Sequence, residues 1–126
     1  MCLLDGVMDW NDQAIVCLTE THLDPRNPLR RGGRLSVVNA LEYGAQAAAV
    51  HGGLRARAAG TVAPPGYLAA VRDVEFYVER LDTIESALEV RAERLFGEDV
   101  NTVYDCKILA NDKLLARGRV TIMLRR

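Results

Sequence analysis

The chain has 126 residues, 49% of them hydrophobic and 26% charged, the balance of an ordinary soluble globular protein, and its length fits a single domain over residues 1–126. A net charge of −1 gives no bulk pull toward nucleic acid or an anionic membrane, and no run reaches the roughly 18 apolar residues of a membrane span. Cys2, Cys17 and Cys106 are an odd count with no pair at metal-ligand spacing, so neither a disulfide framework nor a metal site is expected, and they read as small packing residues in a reducing cytoplasm.

In chain order, Leu3 to Trp10 is apolar and partly alternating, Asn11-Asp12 is a turn signal, and Ala14 to Leu18 continues the pattern, which predicts a β-hairpin. The first residues already read as strand with no leader before them, which leaves room for a segment ahead of them. Thr21 to Arg34 is a loop punctuated by Pro25, Pro28, Gly32 and Gly33. Ser36 is a fitting N-cap for one helix from Val37, rich in Ala and Leu and apolar nearly all round, which predicts burial on most sides. Gly52-Gly53 weakens it, and Arg55 to Arg57 reads as a last, more exposed turn. After the Gly60 to Gly66 loop come four strands: Tyr67 to Val78, Ala87 to Phe96, Thr102 to Leu109 and Leu114 to Leu124. Gly97-Glu98-Asp99 and Asn111-Asp112 fall between them as turns. Two strands, one buried helix and a run of hairpin-linked strands predict an α+β fold with an antiparallel sheet packed on the helix.

Leu41-Glu42-Tyr43-Gly44-Ala45-Gln46-Ala47 resembles the central-helix signature of bacterial 3-hydroxyacyl-[acyl carrier protein] dehydratases. Leu3-Leu4-Asp5-Gly6-Val7 is similar to their first strand, and Ala110-Asn111-Asp112-Lys113-Leu114-Leu115-Ala116 to their last hairpin. Asn27-Pro28-Leu29 ahead of the Glu-Tyr-x-x-Gln helix resembles, more narrowly, the dehydratase-like proteins of aryl polyene biosynthesis. The resemblance implies a hotdog fold, a sheet wrapped around one long central helix. It also implies pairing into a homodimer or a heterodimer with another hotdog subunit, with the acyl tunnel between subunits. The implied chemistry is cytoplasmic dehydration of a 3-hydroxyacyl thioester carried on the phosphopantetheine of acyl carrier protein, with no further cofactor. One departure stands out: the family's histidine, fourteen positions ahead of the Glu, falls here on Pro28.

Such a dehydration needs a base for the C2 proton, an acid for the leaving hydroxyl and donors for the enolate oxygen. Glu42 is the expected acid, because an apolar surrounding disfavours a carboxylate and favours the proton-donating form. Val38 and Gln46 lie four residues to either side on the same helical face, so Gln46 is expected to orient Glu42 or bind substrate. His22, where the loop begins, is the expected replacement base, with Asp24 behind it, whereas His51 is out of phase with Glu42 and reads as structural. The resemblance implies that backbone amides near Gly32 and Gly33, with Asn27, hold the thioester oxygen; without it, the glycine pair reads as a tight turn. Arg30, Arg31 and Arg34, with Arg26, read either as a solvated face or as a contact for an acidic carrier protein. Two alternatives stay open: an acyl thioesterase, and a non-catalytic subunit that pairs with an active dehydratase.

Overall fold

The computed structural model describes residues 2–98 and 100–125. Strands β1 (Gly6–Trp10) and β2 (Ala14–Thr19) form the predicted hairpin, followed by a 3-10 turn at Thr21–Leu23, a second at Val37–Asn39, and helix α1 (Ala40–Ala58). Strands β3 (Gly66–Phe76), β4 (Leu88–Gly97), β5 (Asn101–Ala110) and β6 (Lys113–Leu124) complete the chain. All six form one antiparallel sheet in the order β1-β2-β4-β5-β6-β3. The strand that leaves the helix thus crosses to the far edge of the sheet, and β1 and β3 are its two edges. No described helix is long and apolar enough to cross a membrane.

The turn chemistry acts where it was expected. Asn111 and Asp112 both have positive φ, 49° and 64°, between the paired residues Ala110 and Lys113. That is the mirror-image turn whose twist suits a two-residue hairpin. Of the expected Gly97-Glu98-Asp99 turn, Asp99 lies outside the described residues; Glu98 N–H donates to the Asn101 carbonyl at 2.7 Å.

Three expectations are corrected. The first strand begins at Gly6 rather than Leu3, because Leu3 is engaged by side chains: its N–H donates to Gln46 Oε1 at 2.7 Å, and its carbonyl accepts from the Thr19 and Thr21 hydroxyls. The α-helix starts three residues late, because Ser36 Oγ accepts from Val38 N–H and tightens Val37–Asn39 into a 3-10 turn. Gly52-Gly53 does not interrupt α1, which runs on through Arg55 and Arg57.

The core lies between α1 and the concave face of the sheet. Leu41, Tyr43, Ala47 and Ala48 meet Val90, Ala92, Cys106, Ile108 and Val120, all buried. Gly44 lets the helix approach β5 closely, since a Cβ there would stand 2.8 Å from Cys106 Cβ. The opposite face of the helix is open: Glu42, Ala49 and Gly53 are exposed, as is Val38 in the 3-10 turn ahead of it. Edge strand β3 is open as well, with Tyr67 and Val71 each 46% exposed. In β3 the register against β6 shifts between Arg72 and Glu75, and Asp73 takes a φ of 52° there.

Candidate functional site

Glu42 sits in the first turn of α1, on the open side of the helix. It lines a hollow of about 160 Å³ with Gln46, Ala45 and Ala49 from the helix and Gly66, Tyr67, Leu68 and Ile122 from β3 and β6. The predicted i, i+4 pairing of Glu42 with Gln46 on one face is therefore realised. The predicted burial of Glu42 is not: in the single chain the carboxyl group is exposed, and the apolar walls stand only on the sheet side. Gln46 also ties down the chain start through its bond from Leu3 N–H.

The other expected site residues belong to a different structure, the folded loop between β2 and α1. His22 is completely buried. Its Nε2 lies 2.9 Å from the Ile84 carbonyl, and its Nδ1 has no hydrogen-bond partner among the described residues. Burial pushes its pKa below the ordinary histidine range. His22 does not line the Glu42 hollow, so its reading as a base finds no support in the geometry. Asp24 instead closes a local turn, with Oδ1 accepting from Arg26 N–H at 2.8 Å and an ion pair to the Arg26 side chain at 3.3 Å.

Asn27 is also buried, and all its side-chain polar groups are used. Nδ2 donates to the Thr21 carbonyl at 3.0 Å and to the Tyr43 hydroxyl oxygen at 3.1 Å, and Oδ1 accepts from Leu29 N–H at 2.9 Å. It staples the loop to the helix, which leaves no group of its side chain for a substrate. Gly32 and Gly33, with φ of 59° and 75°, form the two-residue turn between Arg31 and Arg34, whose backbones bond to each other in both directions. This is the tight-turn reading. The N–H groups at the helix entrance are already taken: Val37 donates to the Glu79 carbonyl, Asn39 to the Ser36 carbonyl and Ala40 to the Val37 carbonyl.

Arg30 departs from the expected carrier-protein contact. Its guanidinium turns inward and donates to the carbonyls of Asp24, His22 and Gly33, with Asp82 at 4.0 Å. Arg31 and Arg34 remain exposed, Arg31 with Nη1 on the Pro28 and Arg30 carbonyls.

Two loop-holding groups carry no local sequence signal. Asp82 accepts from Leu35 N–H at 2.9 Å and from Arg80, whose hydrogen bonds hold its carboxyl well below the usual carboxylate range. The Tyr43 hydroxyl lies 2.9 Å from Thr21 Oγ1 and accepts from Asn27 Nδ2, and burial raises its pKa. His51 is structural, as its helical phase predicted: it is buried, with Nδ1 2.6 Å from the Tyr104 hydroxyl and Nε2 2.7 Å from the Asn11 carbonyl. Cys17 and Cys106 are buried, and burial pushes their thiols up to about 11 and about 12, which fits packing residues rather than nucleophiles. Among the described residues no group of His, Cys, Asp or Glu is arranged to hold a metal ion.

One antiparallel sheet curled around a long helix, with an acid on that helix opposite the edge strand, defines the hotdog class. Across residues 1–125 the chain matches the ApeP-like family, described as ApeP dehydratase, and it belongs to that family. Its backbone is similar to the dehydratase heterocomplex ApeI:P from Xenorhabdus doucetiae, with a TM-score of 0.88 at 22% identity over 98% of this chain and 83% of that one. AziG from S. sahachiroi gives a TM-score of 0.64 at 13% identity over 96% of this chain and 90% of that one. A hypothetical thioesterase with coenzyme A from Streptococcus pneumoniae gives 0.64 at 12% over 95% and 84%. At these identities the likenesses bear on the fold. No curated protein matches the sequence.

Proposed function

We propose that this chain takes part in dehydrating 3-hydroxyacyl thioesters on acyl carrier protein to trans-2-enoyl thioesters, as one half of a pair with a second hotdog subunit. The observation that carries this reading is Glu42 beside Gln46 at the mouth of an apolar hollow, in a chain of a dehydratase family. The reaction removes the C2 proton and expels the C3 hydroxyl as water, so it moves protons only and needs no cofactor beyond the pantetheine arm. Glu42 is the proton-transfer group of this chain. A second subunit laid over the open face of α1 and along β3 would dry the exposed side of its carboxyl group and bring in the missing base. That requirement fits Pro28 at the family's histidine position and the seclusion of His22. Arg31 and Arg34 are the cations left to meet an acidic carrier protein in the cytoplasm.

The same two observations favour a second reading, a non-catalytic subunit that shapes the site of its partner. A test of Glu42→Gln in the paired assembly separates the two. With Glu42 as acid, enoyl product formation from 3-hydroxyacyl carrier protein, followed by mass spectrometry, falls by about 10²–10⁴-fold. An unchanged rate in the mixed assembly removes Glu42 from the chemistry and leaves the supporting role. Thiol release from an acyl thioester without a 3-hydroxyl would point instead to a thioesterase.

A further inference from the structure

A run of hydrogen bonds leads from the loop after β2 to the hollow at Glu42, and the available protons fix the direction of each bond. Asn27 Oδ1 accepts from Leu29 N–H, so Nδ2 is the donor to the Thr21 carbonyl at 3.0 Å and to the Tyr43 hydroxyl oxygen at 3.1 Å. The buried Tyr43 hydroxyl then gives its one proton to Thr21 Oγ1 at 2.9 Å. Thr21 gives its own proton to the Leu3 carbonyl at 2.7 Å, where the Thr19 hydroxyl also donates, at 2.5 Å. A carbonyl oxygen has two lone pairs, and both are used here. Leu3 is thus pinned by its carbonyl and by a side chain only 3% exposed, and its N–H is held 2.7 Å from Gln46 Oε1. A backbone N–H only donates, so Gln46 must turn its oxygen toward Leu3. The donor end of the same amide is Nε2, and Gln46 lines the hollow one helical turn from Glu42.

Loss of the C2 proton builds negative charge on the thioester oxygen, which calls for a donor. The backbone N–H groups at the helix entrance do not supply it. Val37, Val38, Asn39 and Ala40 donate to the Glu79 carbonyl, Ser36 Oγ, the Ser36 carbonyl and the Val37 carbonyl. We infer that Gln46 donates from Nε2 to the thioester carbonyl oxygen, and that Tyr43, Thr21 and Leu3 are positioning residues that hold its amide in the donating orientation. This rests on the reading of the Glu42 hollow as the place of dehydration. Nε2 carries two protons, so the donation is compatible with a second contact of the same amide. A flipped amide would set two donors against each other at Leu3 and two acceptors against each other at the substrate, two mismatches at once. The chain start and the loop therefore select an accepting atom at this point of the hollow.

Two unreactive analogues of an acyl-pantetheine thioester test this in the paired assembly. One is a ketone, with the sulfur replaced by a methylene and the carbonyl kept; the other is a thioether, with the carbonyl reduced to a methylene. Calorimetry should show the ketone bound roughly three- to tenfold more tightly by the parent. The carbonyl stretch of the bound ketone in infrared difference spectra should lie at lower frequency in the parent than in Gln46→Met. Tyr43→Phe and Thr21→Val each remove one hydroxyl at nearly constant shape, and each should bring the ratio of the two affinities toward one while the thioether remains bound. Thr21→Ser keeps the hydroxyl and should restore the parental ratio. Thioether binding monitors the fold, and the Thr21 pair decides should Tyr43→Phe lose it. A parent assembly that binds both probes equally or binds neither overturns the inference, as does a Thr21→Val variant with the parental ratio. A parental preference for the ketone without enoyl product from 3-hydroxyacyl carrier protein counts against the dehydration reading alone. Enoyl product with equal binding counts against donation by Gln46 alone.

Discussion

At the scale of single residues, the chain spends its two histidines on structure, and this makes stability sensitive to acid. His51 fits as the neutral tautomer, with Nε2–H donating to the Asn11 carbonyl and Nδ1 accepting from the Tyr104 hydroxyl. His22 fits with Nε2–H donating to the Ile84 carbonyl, and its ring is completely buried. Burial lowers both pKa values, so the unfolded chain binds protons at these sites before the folded one does. Where the unfolded state holds more protons, stability rises with pH. The contribution is therefore intact above about 6.5, the unfolded histidine value, and fades as pH falls toward the folded values. Thermal melts from pH 8 to 5 should show Tm dropping below about 6.5, with a shallower slope in His51→Gln; a flat profile would contradict the assignment. Asn27→Ala strips three hydrogen bonds from a buried site and leaves Leu29 N–H without its acceptor, so it should cost about 1–3 kcal/mol in a urea melt.

At the scale of elements, the strands were legible because their alternation and turn residues are local properties. The type and approximate extent of each strand from β2 to β6 follow from period two and from Asn-Asp and Gly pairs, and the helix from an uninterrupted Ala-rich run. Its orientation was not legible. A helix coated with small apolar residues reads the same whether its last face meets its own sheet or waits for a neighbour, so Glu42 was expected inside and lies on the open side. The loop was misread for a related reason. His22, Asn27 and Arg30 look like site residues by type and spacing, but their partners Ile84, Tyr43 and Asp82 come from distant segments that spacing cannot reveal. The helix glycines offer a test of sign. Gly→Ala in a helix interior ordinarily stabilises by about 1 kcal/mol, and Gly53→Ala should do so, since its Cβ meets nothing. Gly44→Ala should instead destabilise by about 1–3 kcal/mol, because Cβ would press on Cys106 Cβ and Sγ at 2.8 and 2.9 Å. Two variants moving in the same direction in one chemical denaturation series would mean that α1 is not seated against β5 in this way.

At the scale of the whole molecule, the exposed surface is concentrated where a second subunit could lie. Part of the exposed apolar surface lies near Glu42: Val38, in the 3-10 turn ahead of α1, is 64% exposed, and β3 is an eleven-residue edge strand. A long apolar edge with unpaired N–H and C=O groups is a template for another strand, and natural proteins cover or charge such edges. Here the stretch Tyr67 to Val71 carries no charge at all, so nothing in it opposes pairing. A second hotdog subunit, whether a copy or a relative, would satisfy both openings at once and enclose Glu42 from its exposed side. Val71→Arg places a cation in the middle of that edge, at a residue that does not line the hollow beside Glu42. Sedimentation velocity should show the parent chain associated, alone or with its hotdog partner, and the Val71→Arg chain as a folded monomer with native circular dichroism. Dehydration should fall with the association, because the open side of Glu42 stays wet. A Val71→Arg chain that still pairs with parental affinity would move the interface away from β3 and deprive the site of its second wall.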